Sequence, residues 1–374
     1  MKNVLKLIGI IAIVAVIGLS MTACGGGDDG TDGGGGNTPT PVAPTITTTT
    51  LTNGTLENVY NQKLSATGDT PITWIVEIGT LPAGLAISSG GVISGTPTTL
   101  GTFTFTVKAD NSTGNDTKSL SITIVSNVFT SISDFETWLA AQPDNATDTA
   151  YRVKLNVSDL GGGYSYIDSG FPAGSAGNAF YTNKTKYVSI DFSDSTFTSM
   201  ESNAFYNCTS LISITIPNAN SIGDYAFMGC TSLTAINVDT TNTAYSSQDG
   251  VLYNKAKTTL IQYPAGKTGN TFTIPGSVTS IEGFAFSNCN SLTSVTIPDS
   301  VTSIGTSAFS YCRRLTSVTF VTGSNITDAN FGTNAFPEGN SGYGGNTLKT
   351  AYSTGKAGTY TRTAGGDTWT KTSG

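Results

Sequence analysis

The five cysteines are the most reactive side chains in this sequence, and there is no histidine to assist them. Four of the five recur in one phrase: Ala204-Phe205-x-x-Cys208-x-x-Leu211, Ala226-Phe227-x-x-Cys230-x-x-Leu233, Ala285-Phe286-x-x-Cys289-x-x-Leu292 and Ala308-Phe309-x-x-Cys312-x-x-Leu315. Thiols so placed could bind a metal, form disulfides, or simply fill a core. Their intervals of 22, 59 and 23 residues match no C-x-x-C zinc knuckle. In a stack of equivalent turns, neighbours lie about one strand spacing apart, ~4.8 Å, so Cys208 could approach Cys230 and Cys289 could approach Cys312. Side chains that point in parallel suit the disulfide dihedral poorly, and unpaired cysteine is among the most buried residue types. The expectation is four small core thiols, with no metal and no cofactor.

The lack of histidine removes Ser-His-Asp and Cys-His catalysis and every histidine-ligated zinc site. Glu201, Asp224, Glu282 and Asp299 fall near repeat turns without a fixed partner for general acid–base work, so an enzyme is not expected. The net charge is −7, with no cluster of lysines and arginines of the kind that binds nucleic acid. The remaining candidates are large polar side chains suited to contact with a partner: Tyr245, Tyr253 and Tyr263 around an irregular stretch, then Tyr311, Arg313, Arg314 and Tyr343. Tyrosine and arginine are the types enriched at binding hot spots. Arg313-Arg314 stands where the usual Thr-Ser falls, as at Thr209-Ser210 and Thr231-Ser232. On an acidic chain this pair makes a local positive spot, suited to an acidic patch on a protein or to a sulfated glycan. A pair that only solvates a turn is the plainer reading.

The elements that must position these residues are repeats. Each leucine is followed by a short alternating run: Ile214-Thr215-Ile216, Ile236-Asn237-Val238, Val295-Thr296-Ile297 and Val318-Thr319-Phe320. A period in the low twenties around Leu-x-x-Ile-x-Ile is the mark of a leucine-rich solenoid, whose units stack because none can bury its apolar face alone. Phe205, Phe227, Phe286 and Phe309, each after an alanine, read as a core row on the convex side. Ser189/Asp191, Ser213/Thr215, Ala235/Asn237, Ser294/Thr296 and Ser317/Thr319 read as outward pairs on an uncharged concave sheet. From Gln248 to Gly269 a hairpin-like detour replaces one unit, and Leu348–Tyr352 reads as a last, degenerate turn. With Ser221–Phe227 and Thr-Ile-Pro at 273–275 and 296–298, the region resembles the BspA-like, Treponema-type leucine-rich repeats. That resemblance implies a surface protein with a role in adhesion.

Ahead of the array, residues 127–187 read as a lead-in and cap. Ser133-Asp134-Phe135-Glu136 has the form of a capping box, and a helix is expected from Asp134 to about Gln142 with Phe135, Trp138 and Leu139 on its apolar stripe. Tyr151–Val157 alternates as a strand. Residues 45–126 read as a β-sandwich, with strands at Leu64–Ala66, Ile72–Ile78, Ala86–Ile87, Val92–Ser94, Phe103–Ala109 and Ser119–Val125. Asp69, Asp110 and Asp116 lack the dense spacing of a calcium site and read as turn residues. Leu81-Pro-Ala-Gly-Leu85, Gly91-Val-Ile-Ser-Gly-Thr-Pro97 and Gly101–Val107 resemble the cadherin-like Ig modules of bacterial surface proteins.

At the start, Lys2 and Lys6 precede an apolar stretch, Leu7–Leu19, too short to span a bilayer comfortably. Met21-Thr22-Ala23-Cys24 follows and resembles the lipobox of bacterial lipoproteins. It implies cleavage after residue 23 and lipid attachment at Cys24, leaving 16 basic against 25 acidic groups, a net −9. Residues 24–44, rich in Gly and Asp and then in Thr and Pro, read as a tether. The expected protein is mainly β: signal peptide 1–23, tether 24–44, Ig-like β-sandwich 45–126, lead-in with a short capping helix 127–187, and leucine-rich solenoid 188–374. The expected function is a lipid-anchored surface adhesin. It would sit in the bacterial envelope, on the outer surface, and bind a host or neighbouring-cell matrix protein, but no nucleic acid. A purely structural envelope lipoprotein is the alternative.

Overall fold

The computed structural model describes residues 40–339 and 342–373. Cys24, the segment before it and most of the tether lie outside them. Val42–Pro44, read above as the tether's end, already join the sandwich: Val42 N–H donates to Asp69 (2.8 Å) and its carbonyl accepts from Asp69 N–H (3.1 Å).

The sandwich pairs a four-stranded sheet, in the order Gly54–Thr55, Gly114–Val125, Gly101–Asn111, Thr73–Gly79, with a three-stranded one, Tyr60–Lys63, Val92–Gly95, Leu85–Ile87. Alternation along Gly101–Asn111 drives this: Phe105, Val107 and Ala109 are buried with Trp74, Leu120, Ile122 and Ile93. Leu64 is core but lies between two strands, and the strand Tyr60–Lys63, absent from the sequence expectation, precedes it. Asp110 and Asp116 are strand residues, not turn residues. Asp116 accepts from Ile46 N–H (2.7 Å) and Asp110 pairs with Lys108 (3.1 Å).

The solenoid is built on parallel ladders. One five-stranded sheet runs Val128–Phe129, Tyr151–Leu155, Val188–Asp191, Leu211–Ile216, Ala235–Val238, all parallel. Another begins with Thr271–Thr273, Ser294–Ile297 and Ser317–Phe320 in parallel and ends with an antiparallel hairpin, Gly358–Thr361 and Thr370–Ser373. The inward residues Leu211, Ile214, Ile216, Ile236, Val295, Ile297 and Val318 are fully buried. Their outward neighbours pair across strands as expected, Ser189 with Ser213, Thr215 with Asn237 and Thr296 with Thr319.

The concave face is not uncharged, however. Its lead-in strand Tyr151–Leu155 brings in Arg152 and Lys154, and Lys154 ion-pairs with Asp194 (2.7 Å) and lies 3.9 Å from Asp191. That strand is also where the sandwich attaches. Asn58, almost buried, accepts from Arg152 N–H (2.6 Å) and donates to the Arg152 carbonyl (3.2 Å).

The ends depart from expectation in detail. The capping helix is Ile132–Ala141, and its N-cap is Ser131, which accepts from Asp134 N–H (3.3 Å). Glu136 turns instead to Asn178 (2.7 Å). At the other end Leu348–Tyr352 is not a strand turn but part of the helix Thr347–Gly355. The last unit is Ala335-Phe336, whose ring stacks on Phe309 at 4.6 Å and 11°. Arg362 is buried behind it and donates to the carbonyls of Leu315, Gly366 and Arg313.

Candidate functional site

Each unit turns twice through left-handed backbone, once before Ala-Phe and once before Cys. Asn203 (φ 60°), Asn207 (55°), Asn288 (63°) and Asn334 (54°) occupy such positions, and asparagine tolerates them better than most residues. Gly229 (φ 79°) fills another, where a Cβ would fall 1.9 Å from the Asn207 amide oxygen. Between these turns the cysteines are sealed in. Cys208, Cys230, Cys289 and Cys312 are free thiols, at most 1% exposed. The thiols of Cys230 and Cys312 donate to the carbonyls of Phe205 and Phe286, both at 2.8 Å. Burial pushes the Cys230 thiol up to about 12 and those of Cys208 and Cys289 well above their usual value. Among the described residues no group of Cys, Asp and Glu is placed to hold a metal ion.

The phenylalanine row is core. Phe205 and Phe227 stack at 6.0 Å and 3°, Phe286 and Phe309 at 4.4 Å and 12°. Tyr263 belongs to this row: its ring lies 5.1 Å from Phe286 at 23°, and its N–H donates to Ala285 (2.7 Å) as Phe286 N–H does to Ala308. It is 2% exposed, and Tyr253 1%. The expectation that these two tyrosines are exposed contacts is therefore overturned. Burial raises both phenols, that of Tyr253 to about 12, with Asp249 adding to the shift. The cause is the detour itself. Of its three antiparallel strands, Tyr245–Gln248, Val251–Asn254 and Thr259–Gln262, the middle one runs through the solenoid core, with Val251, Leu252 and Tyr253 buried. Leu252 joins the N-terminal half of the core, whereas Val251 and Tyr253 join the C-terminal half. Tyr245 is half-buried, and its hydroxyl accepts from Ile222 N–H (3.0 Å).

Arg313 and Arg314 are exposed, and half-buried Tyr311 (φ 60°) meets exposed Tyr343 edge-on at 5.9 Å. These four residues lie close together at one edge of the C-terminal half. The sequence reading missed a second surface at the N-terminal half. There Tyr164 contacts Tyr166, Phe171, Tyr181 and Tyr206 at 5.2–6.0 Å, beside Ile167, which is 95% exposed. The only signal in sequence is the run Tyr164-Ser-Tyr166-Ile167 between glycines.

A third feature is a cleft of about 520 Å³ where the detour meets the repeats on either side. Asp224, Tyr225, Phe227, Tyr245, Gln262, Glu282 and Phe284 are among its lining residues.

The architecture is that of a repeat protein, an Ig-like sandwich on a capped leucine-rich solenoid. Comparison with known families agrees: the BspA type Leucine rich repeat region matches residues 175–268 and 265–341 in six copies, and the Putative Ig domain matches residues 39–126. The chain carries both modules. Among solved structures it is similar to a leucine rich cell surface protein from Faecalibacterium prausnitzii A2-165, with 29% identity over 40% of this chain and 44% of that one, TM-score 0.32. It is also similar to a leucine-rich repeat protein from Eubacterium ventriosum ATCC 27560 (20% identity, 58% and 70% covered, TM-score 0.31) and to the pneumococcal vaccine antigen PcpA (17%, 58% and 65%, 0.34). This chain thus spans less than half of the first relative's length. A search of curated proteins found no match.

Proposed function

We propose that this chain is a bacterial surface lipoprotein, held to the envelope by a lipid on Cys24, whose solenoid binds a protein on a host or neighbouring cell. The observation that carries this reading is the group formed by half-buried Tyr311 with exposed Arg313, Arg314 and Tyr343 at the edge of the stack. The repeat thiols and the phenylalanine row are committed to packing, which leaves recognition to the edges. A cationic pair on a chain of net charge −7 suits an acidic or sulfated partner. Charge complementarity of this kind sets on-rate and specificity. The small Ser, Thr and Asn side chains of the concave face favour the alternative, an envelope-organising lipoprotein without a host ligand. The test is titration of the Val42–Gly374 unit against a panel of purified extracellular-matrix proteins. Saturable binding to one of them supports the adhesin. Flat titrations across matrix and envelope proteins support the structural role.

A further inference from the structure

Among the described residues, the ladder of bonds between Ala-Phe turns is broken at the cleft, although Gly266 N–H still donates to the Leu233 carbonyl (2.8 Å) across the joint. Elsewhere each turn donates backbone N–H groups to the next. Asn203, Phe205 and Asn207 bond to Asp224, Ala226 and Met228 at 2.8–2.9 Å, and Phe284, Phe286 and Asn288 bond to Thr306, Ala308 and Ser310 at 2.7–3.2 Å. Among the described residues, no such bond continues from Tyr225, Phe227 or Gly229. The ring row breaks at the same place, between the Phe205–Phe227 pair and the Tyr263–Phe286–Phe309–Phe336 run. The N–H groups of an open turn face the side where the next turn would lie, and here that side is the cleft.

Two further features mark this place. Tyr225 and Phe284 hold left-handed backbone, φ 59° each, where other units carry Asn203, Ser307 and Asn334. A bulky side chain there is a strained choice. The two rings meet edge-on across the break at 5.0 Å, with Tyr225 42% exposed. Exposed Asp224 and Glu282 line the same cleft, and no lysine or arginine does.

We propose that the cleft binds an extended peptide segment carrying a lysine or arginine side chain. The segment's carbonyls would take up the open N–H groups of Tyr225 and Phe227, a form of backbone augmentation. Its cationic side chain lies between the Asp224 and Glu282 carboxylates and against the aromatic pair, where a cation is attracted to the ring face. The inference shares with the proposed function only that the solenoid binds protein. It concerns a different surface and the opposite charge from Arg313 and Arg314.

The test is calorimetric titration of the whole chain with a decapeptide of alternating lysine and serine, its glutamate counterpart, and a neutral hexasaccharide. The lysine peptide is expected to bind and the other two are not. Asp224→Asn with Glu282→Gln should weaken it about tenfold or more, as should raised salt. Tyr225→Asn installs the residue that suits left-handed backbone, so Tm should hold or rise while affinity falls about tenfold. Arg313→Ser with Arg314→Ser should leave lysine-peptide affinity unchanged, even if no matrix protein proves to be a partner. The proposal is overturned if the lysine peptide fails to bind, if the hexasaccharide binds in its place, or if Tyr225→Asn lowers Tm and keeps affinity.

Discussion

Tyr263 shows how one side chain can change role with its neighbours. Read alone, a tyrosine beside a proline in an irregular stretch looks like a contact residue. In the stack it stands in for phenylalanine, one ring below Phe286. Removing either ring leaves a cavity between turns, so Phe286→Ala and Tyr263→Ala should each cost about 3–5 kcal/mol in chemical denaturation. Tyr263→Phe should be tolerated. The thiols give a second prediction at this scale. Cys208, Cys230 and Cys289 have folded values raised by burial above an ordinary value of 9.0. Folding therefore favours their neutral form: their contribution is complete below about pH 9 and is lost as pH rises toward the folded values. In the native Val42–Gly374 unit, a thiol reagent at pH 8 should label the repeat cysteines only on unfolding. Rapid stoichiometric labelling would contradict their burial.

At the scale of elements, much was legible because repetition multiplies a weak signal. The alternating runs after Leu211, Leu233, Leu292 and Leu315 gave the parallel strands, and the period of two along Phe103–Val107 gave a sandwich strand. What stayed hidden depends on contacts distant in sequence. The path of Val251–Asn254 through the core follows from both faces of that strand being covered, which a local pattern does not encode. The last unit at Ala335-Phe336 lacks its cysteine, and so escaped the phrase that marked the others. The closing hairpin depends on Arg362, whose guanidinium satisfies three carbonyls. Each buried acceptor left unpaired costs about 1–3 kcal/mol, so Arg362→Met should lower stability by roughly 3 kcal/mol. Hydrogen exchange should show protection lost first over Gly358–Ser373, because each turn of a solenoid depends on its neighbours.

For the whole molecule, the detour makes the solenoid two half-stacks joined by one strand buried on both faces, with the cleft at the joint. Neither the tyrosine cluster around Tyr164, nor the cleft, nor its open turns was legible from composition. Exposure is a property of the assembled array. The proposed anchor belongs to this scale as well: Cys24→Ala should abolish incorporation of labelled fatty acid and release the protein from the envelope, whereas equal labelling of mutant and wild type would remove the anchor. The central claim is that the array recognises a partner through its charged edge. The most direct measurement is the affinity of the Val42–Gly374 unit and of its Arg313→Ser, Arg314→Ser variant for the same acidic or sulfated matrix partner, at low and raised salt. The account predicts unchanged Tm, weaker binding by the variant at low salt, and convergence of the two as salt screens the charge. Equal affinity of both proteins at low salt would contradict it.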